Sequence, residues 1–113
     1  MQLQIKARNT EVTESVRKHA ERHLRKVAKQ VSDLARLELE LFQQRNPAIH
    51  DGKVAEATLH LKGAVLRARV ASPDMAQSVD LVAEKLARQV KRHRDKRRGA
   101  RAPRPEKAEP AAS

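Results

Sequence analysis

The 113-residue sequence contains no cysteine, tryptophan or tyrosine, and Phe42 is its single aromatic residue. The lack of cysteine excludes disulfide bonds and thiolate chemistry, which agrees with a reducing compartment. With one aromatic side chain available, a buried core has to be built from aliphatic residues. The same shortage excludes RNA recognition by stacking bases on an aromatic sheet surface.

Long apolar segments and catalytic motifs are also missing. No run approaches the roughly 18 apolar residues of a membrane span, and "MQLQIKARN" at the N-terminus lacks the apolar run of a secretory signal. The three glycines form no phosphate-binding loop, and no serine lies in a nucleophile motif. We therefore expect a cytoplasmic, non-enzymatic protein with no cofactor, no small-molecule substrate and no membrane partner.

Positive charge is abundant and concentrated at the two ends of the chain. The sequence has 25 Lys and Arg against 14 Asp and Glu, a net charge of +11. Residues 1–30 carry 8 basic and 3 acidic side chains, residues 31–84 carry 6 and 8, and residues 85–113 carry 11 and 3. A slightly acidic middle between two basic ends indicates a polyanionic partner rather than a generally basic surface.

The first half of the chain predicts a strand, a helix and a second strand. Residues 2–7 alternate between polar and apolar, and residues 34–45 do so strictly through Leu37, Leu39 and Leu41. Between them, Thr13 suits the N-cap of an amphipathic helix of about five turns. Apolar residues recur at spacings of three and four on this helix: Val16, Ala20, Leu24, Val27 and Val31.

Residues 54–61 and 65–71 predict two more strands, joined by a tight turn at "KGA". A second helix then opens at "SPDM", with Ser72 as N-cap, Pro73 in the first turn and Asp74 at the positive end of the dipole. Gly99 is the predicted end of this helix. Its core positions are Met75, Val79, Val82, Leu86 and Val90.

The predicted order is β-α-β-β-β-α, an α+β fold resembling that of double-stranded RNA-binding domains. The economical packing places both helices on one face of a four-stranded sheet, whose other face is solvated. The last three strands suit an antiparallel meander, and the first helix is long enough for a parallel crossover between the first two strands. Residues 1–97 are the predicted domain, and residues 98–113, rich in proline, alanine and cations, are a predicted disordered tail.

Two helices on one side of a sheet bring their outward faces together. The first helix carries Lys18, Arg22, Arg25 and Lys29 at helical spacing opposite its apolar face. The second ends in "KLARQVKRHRDKRRGAR", in which nine of seventeen residues are Lys or Arg. We therefore predict one basic surface for RNA phosphates. Its residues are Lys18, Arg22, Arg25, Lys29, Lys85, Arg88, Gln89, Lys91, Arg92, Arg94 and Lys96.

His19 and His23 are spaced like a pair of zinc ligands on one helix. The intervening Glu21 stands one position away from the place that the metalloprotease motif requires, and no third ligand is evident nearby in the sequence. We therefore expect packed histidines and no metal. Asp80 and Glu84 are expected to pair with Lys85, Arg88 or the first helix rather than to act as an acid and a base.

Three segments together resemble the ribosome hibernation promoting factor family, which includes ribosome-associated translation inhibitors. They are "IKARNTEVTESVRKHAERHLRKV", "ATLHLKGAVLRA" and "SPDMAQSVDLVAEKLARQVKRHRDK". The resemblance covers residues 1 to about 97, as a short form or as the N-terminal domain of a long form. Ala76 departs from the family pattern, which usually has Tyr or Phe there.

This resemblance implies a function. Family members bind the small ribosomal subunit in the channel for mRNA and tRNA, and they block translation under stress or in stationary phase. It implies that the basic groove between the helices faces 16S rRNA, and it adds Lys26 to the residues predicted for the basic surface. Other hibernation factors are possible partners under this resemblance.

The alternative is a general module for structured or double-stranded RNA that acts away from the ribosome. A double-stranded RNA-binding domain lacks a leading strand such as "QLQIKA" and carries a lysine pair at the start of its last helix. Here that start, "SPDMAQSVD", has no cation. Both features favour the hibernation factor.

Overall fold

The computed structural model describes the backbone of residues 1–101 and the side chains of residues 1–96, and it confirms the predicted order of elements. Residues 102–113, most of the predicted tail, lie outside the described residues. The elements are β1 (Gln2–Arg8), α1 (Glu14–Ala28), β2 (Arg36–Gln43), β3 (Lys53–Leu61), β4 (Ala64–Ser72) and α2 (Met75–Arg101). The observed strand bounds differ from the predicted ones by at most two residues.

The four strands form one sheet in the order β1-β2-β3-β4. β1 pairs with β2 in parallel, whereas β2 with β3 and β3 with β4 are antiparallel, as predicted. The turn between β3 and β4 has only two residues, because Leu61 pairs with Ala64. Gly63 adopts φ 80° there, a conformation that glycine tolerates without a Cβ clash.

The core lies between the sheet and the two helices and is aliphatic, as the single aromatic residue required. Leu37, Leu39 and Leu41 of β2 are at most 1% exposed, and alternate residues of β2 face the opposite side. One cluster joins these leucines to residues of β3, β4 and both helices, so α1 and α2 cover the same face. The members from α1 are Ala20, Leu24 and Val27, and those from α2 are Val79, Val82, Ala83, Leu86 and Val90.

α1 begins where the sequence predicted but ends earlier. The backbone N–H of Val16 donates to Thr13 Oγ1 at 3.1 Å, which confirms Thr13 as the N-cap. The helix has 15 residues, about four turns, with Lys29 at its C-cap. Val31 therefore lies beyond the helix, although it still packs against the core.

The start of α2 corrects one prediction, because Asp74 caps the helix rather than Ser72. Asp74 Oδ2 accepts a hydrogen bond from the backbone N–H of Gln77 at 2.9 Å. Ser72 is the last residue of β4 and is buried, and its hydroxyl lies 2.6 Å from that of Ser78. Ser78 Oγ donates to the carbonyl of Lys53, also at 2.6 Å. The serine thus serves a buried network that ties α2 to β3.

We expect Asp74→Ala to destabilise the domain by about 1 kcal/mol, the usual cost of losing an N-cap. Asp74→Asn keeps a side-chain oxygen for the N–H of Gln77 and should cost much less. Urea unfolding followed by circular dichroism at 222 nm measures both variants. Equal losses for the two variants would contradict the assignment of the cap.

α2 extends well beyond the core. Val90 is the last buried apolar residue of α2 up to Lys96, and the helix continues through Gly99 to Arg101, two residues past the predicted end. From Lys91 to Lys96 no residue is buried, and four of the six are exposed. No helix within residues 1–101 combines the length and apolarity needed to cross a membrane.

Candidate nucleic-acid interface

The two helices lie side by side, and their seam is marked by a contact between side chains. Asp80 Oδ1 of α2 accepts a hydrogen bond from Nε2 of His19 on α1 and lies 3.1 Å from Nε2 of His23 on the same helix. The expected pairing of Asp80 with the first helix is therefore confirmed. Because α1 and α2 pack directly against one another, their outward surfaces adjoin.

Ten of the twelve residues predicted for the basic surface are exposed, and the other two, Gln89 and Arg94, are half-buried. On α1 the exposed cations lie opposite the buried residues Ala20, Leu24 and Val27. These α1 cations are Lys18, Arg22, Arg25, Lys26 and Lys29. The exposed cations of α2 are Lys85, Arg88, Lys91, Arg92 and Lys96.

The helical period divides the α2 cations into two groups. Residues spaced by four, three and four lie in one row, so Asp80, Glu84, Ala87 and Lys91 share the side of α2 that faces α1. Arg88 follows Ala87 and Arg92 follows Lys91, so the rotation of the helix from one residue to the next places both arginines on its outward surface. Lys91 therefore lies on the side of α2 toward α1, and Arg88 and Arg92 lie on the surface next to that side.

Lys85 and Gln89 occupy the other flank of α2, away from α1. Gln89 Nε2 donates to the carbonyl of Arg67 at 2.7 Å, and Lys85 Nζ donates to the carbonyl of Arg69 at 3.3 Å. Both acceptors belong to β4, which is an edge strand. These side chains dock α2 onto the sheet edge, so the structure separates them from the cations beside α1.

Among the side chains that the structure describes, the cations of the two helices are not neutralised by neighbouring acids. Within residues 1–96, no ion pair of 4.0 Å or less joins a Lys or Arg of either helix to a carboxylate. The expected contacts of Asp80 or Glu84 with Lys85 or Arg88 are accordingly not formed. Unpaired surface cations can exchange their counterions for phosphates at little cost.

The sheet face turned away from the helices, here called the open face, has a different character. It carries carboxylates and cations side by side, and the residue row Lys6, Glu40, Glu56 and Arg69 runs across all four strands. The Arg8 guanidinium lies 4.0 Å from the Glu40 carboxylate. Opposite charges at neighbouring positions compensate one another, so the open face is mixed and the helix layer is basic.

Phe42, the single aromatic residue, is on the open face but is covered. The guanidinium carbon of Arg8 lies 4.6 Å from the ring centroid, and that of Arg69 lies 5.3 Å from it. Phe42 is only 8% exposed. Its ring is thus already engaged by two cations and is not presented for base stacking.

His60 gains a partner that the sequence pattern did not suggest. Its Nε2 lies 3.2 Å from Glu38 Oε1 across the β2–β3 ladder, and this hydrogen bond holds the pKa of the Glu38 carboxyl below its usual value. Nearby Lys6 and Arg36 act in the same direction. The carboxyl group of Glu38 on the open face therefore stays ionised to a lower pH than an unperturbed glutamate does.

His19 and His23 were expected to be packed histidines without a third ligand nearby. The structure does place a third potential ligand nearby, because Asp80 supplies a carboxylate oxygen beside both rings. Asp80 stands 61 residues from His19 in the sequence, on another helix. A motif search along α1 could not find this residue.

The fold and the helix layer define the class of protein: an α+β domain of β-α-β-β-β-α order whose helices carry unpaired cations. The sequence model of the family described as "Sigma 54 modulation protein / S30EA ribosomal protein" matches residues 3–98. The chain belongs to this family, whose curated relatives are named ribosome hibernation factors. The resemblance noted from three sequence segments is thereby confirmed.

Two curated relatives illustrate the match. The chain is 35% identical over 100 residues to the ribosome hibernation promotion factor of Picosynechococcus, covering 88% of this chain and 52% of the relative. It is 32% identical over 96 residues to the ribosome hibernation promoting factor of Salmonella typhimurium, covering 85% and 96%. The chain thus spans about half of one relative and nearly all of the other. Both names describe hibernation rather than a catalysed reaction.

Solved structures share the fold. A ribosomal subunit interface protein from Coxiella burnetii superposes with a TM-score of 0.71 at 20% identity, covering 84% of this chain and 99% of that one. The N-terminal domain of Thermus thermophilus Protein Y gives a TM-score of 0.69 at 22% identity, covering 82% and 99%. The predicted fold class is therefore confirmed.

Proposed function

We propose that this chain binds the small ribosomal subunit through 16S rRNA, in the channel that mRNA and tRNA use, and blocks translation under stress or in stationary phase. Family membership and the names of the curated relatives support a role in ribosome hibernation. The chain would act in the cytoplasm by occupying space, without catalysing a reaction and without a cofactor. Other hibernation factors bound to the same ribosome are further partners in this proposal.

The observation that carries the proposal is the set of unpaired cations on the helix layer. Arg22 and Lys26 of α1 and Arg88, Lys91 and Arg92 of α2 are exposed on adjoining surfaces and meet no carboxylate within the described side chains. An Arg guanidinium group can donate two parallel hydrogen bonds to two phosphate oxygens, and it can also stack on an exposed base. Such a surface suits the folded backbone of ribosomal RNA.

The mode of recognition follows from what the sheet does not offer. Single-stranded RNA is usually read by stacking bases on aromatic side chains, and the ring of Phe42 is covered by Arg8 and Arg69. Contacts with phosphates and with the shape of folded RNA therefore provide the binding energy. Roughly six such contacts predict that log K falls with log salt concentration at a slope of about −4 to −5.

Sucrose-gradient sedimentation with purified ribosomes and subunits tests this function. We expect the chain to sediment with small subunits at low salt and to be released by about half-molar salt, because phosphate contacts dominate. The same gradients show whether ribosomes stay as idle monosomes or pair. Equal affinity for an arbitrary RNA duplex and for the small subunit would overturn the proposal in favour of a general RNA-binding module.

A further inference from the structure

Three potential metal-ligating atoms converge at the seam between the helices. One ring nitrogen of His19, one ring nitrogen of His23 and a carboxylate oxygen of Asp80 all lie within 4.8 Å of one another. His23 Nε2 is 3.1 Å from Asp80 Oδ1, and His19 Nε2 contacts the same oxygen. The three side chains are 24%, 31% and 36% exposed in that order, so an ion has access from solvent.

The ligand set is one that transition metals use. Two imidazoles and one carboxylate, with a water in the fourth position, form a common zinc centre. Imidazole nitrogens disfavour calcium and magnesium, which prefer oxygen ligands. Histidines at positions i and i+4 place both rings on one side of a helix, and here the ring centroids are 4.3 Å apart.

One of the ligand–ligand distances already fits a zinc site. Zinc bonds of about 2.0–2.1 Å in a tetrahedron put ligand atoms about 3.3 Å from one another. The 3.1 Å between His23 Nε2 and Asp80 Oδ1 is close to that value. His19 Nε2 lies closer to Asp80 Oδ1 than this separation and has to move away from it, which the partly exposed ring can do by rotation.

We propose that His19, His23 and Asp80 bind a divalent transition-metal ion of the zinc type, with one coordination position left to solvent. The ion joins α1 to α2 and fixes the relative placement of their outward surfaces. Arg22 and Lys26 lie beside the histidines on α1, and their positive charges repel a bound cation. Glu84 lies one turn from Asp80 on α2, and its negative charge attracts the cation. The affinity is therefore below that of structural zinc sites.

The test uses the full, tag-free chain and zinc chloride alone, so it does not depend on ribosome binding. Calorimetric titration near pH 7.5 should give one zinc per chain. Thermal unfolding by circular dichroism should show a midpoint about 10 °C higher at a hundredfold excess over Kd. Asp80→Asn and His23→Gln should each weaken binding at least about 100-fold, since even outer-shell changes cost 10–100-fold.

His60→Gln is the matched control, because His60 also pairs with a carboxylate but has no third ligand beside it in the described chain. Its zinc affinity and stoichiometry should equal those of the unsubstituted chain. Cobalt absorption of the tetrahedral type, lost in Asp80→Asn, would support the same ligand set. A zinc titration without saturable binding, or binding that Asp80→Asn leaves intact, would overturn the proposal and leave a His–Asp hydrogen-bonded contact only.

Discussion

Replacing Arg88 and Arg92 together by glutamate should abolish binding to the small ribosomal subunit. Both side chains are exposed on the outward surface of α2, and neither is held by an acid among the described residues. A hydrogen bond to a charged group contributes about 1.5–3 kcal/mol. Losing two of them costs about 3–6 kcal/mol, which is a hundredfold or more in Kd, before the repulsion of the new carboxylates is counted.

The matched control is the double variant Lys62→Glu with Arg67→Glu. It lowers the net charge from +11 to +7, as Arg88→Glu with Arg92→Glu does, since each substitution removes two charge units. Lys62 lies in the β3–β4 turn and Arg67 on the open face, and both are exposed. We expect its Kd to stay within a few-fold of the unsubstituted value, because general charge steers association but does not replace contacts.

Gradient sedimentation and inhibition of translation in vitro measure both double variants. Circular dichroism checks that the helices are retained, which glutamate favours at exposed helical positions. Full inhibition of translation by the Arg88 and Arg92 variant would show that the chain binds the ribosome through a different surface. Equal losses in both double variants would point to unspecific attraction by net charge.

Much of the fold was predictable because each element has one buried and one solvated side. β2 shows this most clearly, since Leu37, Leu39 and Leu41 are buried and Glu38 and Glu40 between them are not. The same period of two placed β3 and β4, and a short turn with a glycine indicated their hairpin. Parallel pairing of β1 with β2 followed from the length of the helical connection.

Ser72 was wrongly predicted as the N-cap of α2, and the reason lies in its tertiary contacts. Ser72 has the right chemistry for an N-cap, but its hydroxyl is used by Ser78 and by the backbone of Asp74. Ser78 in turn donates to the carbonyl of Lys53, 25 residues away. Local propensity cannot show that a hydroxyl is engaged by a distant strand, and Asp74, two residues further on, takes over the cap.

The candidate interface was predictable as a set of exposed cations, and the helical period also places Lys85 and Gln89 on a flank of α2. Their hydrogen bonds to the carbonyls of Arg67 and Arg69 were not predictable. Those carbonyls are available because β4 is an edge strand, which is a property of the assembled sheet. The convergence of Asp80 on His19 and His23 likewise depends on how α1 and α2 pack.

Leu86→Ala should destabilise the domain by about 2–5 kcal/mol, the range for truncating a fully buried leucine. Leu86 is 0% exposed and belongs to the cluster that joins α2 to the sheet and α1. Six alanines also line that cluster: Ala20, Ala35, Ala55, Ala57, Ala68 and Ala83. Because these side chains are small and short, they cannot extend into the space that a truncated leucine leaves, so a lost leucine leaves a cavity that its neighbours fill poorly.

Leu81→Ala is the matched control, with the same substitution on the same helix. Leu81 is 39% exposed and faces outward, so its truncation should cost no more than about 0.5 kcal/mol. Urea unfolding followed at 222 nm suits both variants, since the chain has no tryptophan for fluorescence. A domain of this size is stable by only about 5–15 kcal/mol, so Leu86→Ala removes a large share of that stability. Equal costs for the two variants would mean that α2 is not anchored through Leu86. The cations that follow Val90 would then lack the fixed base from which the helix presents them.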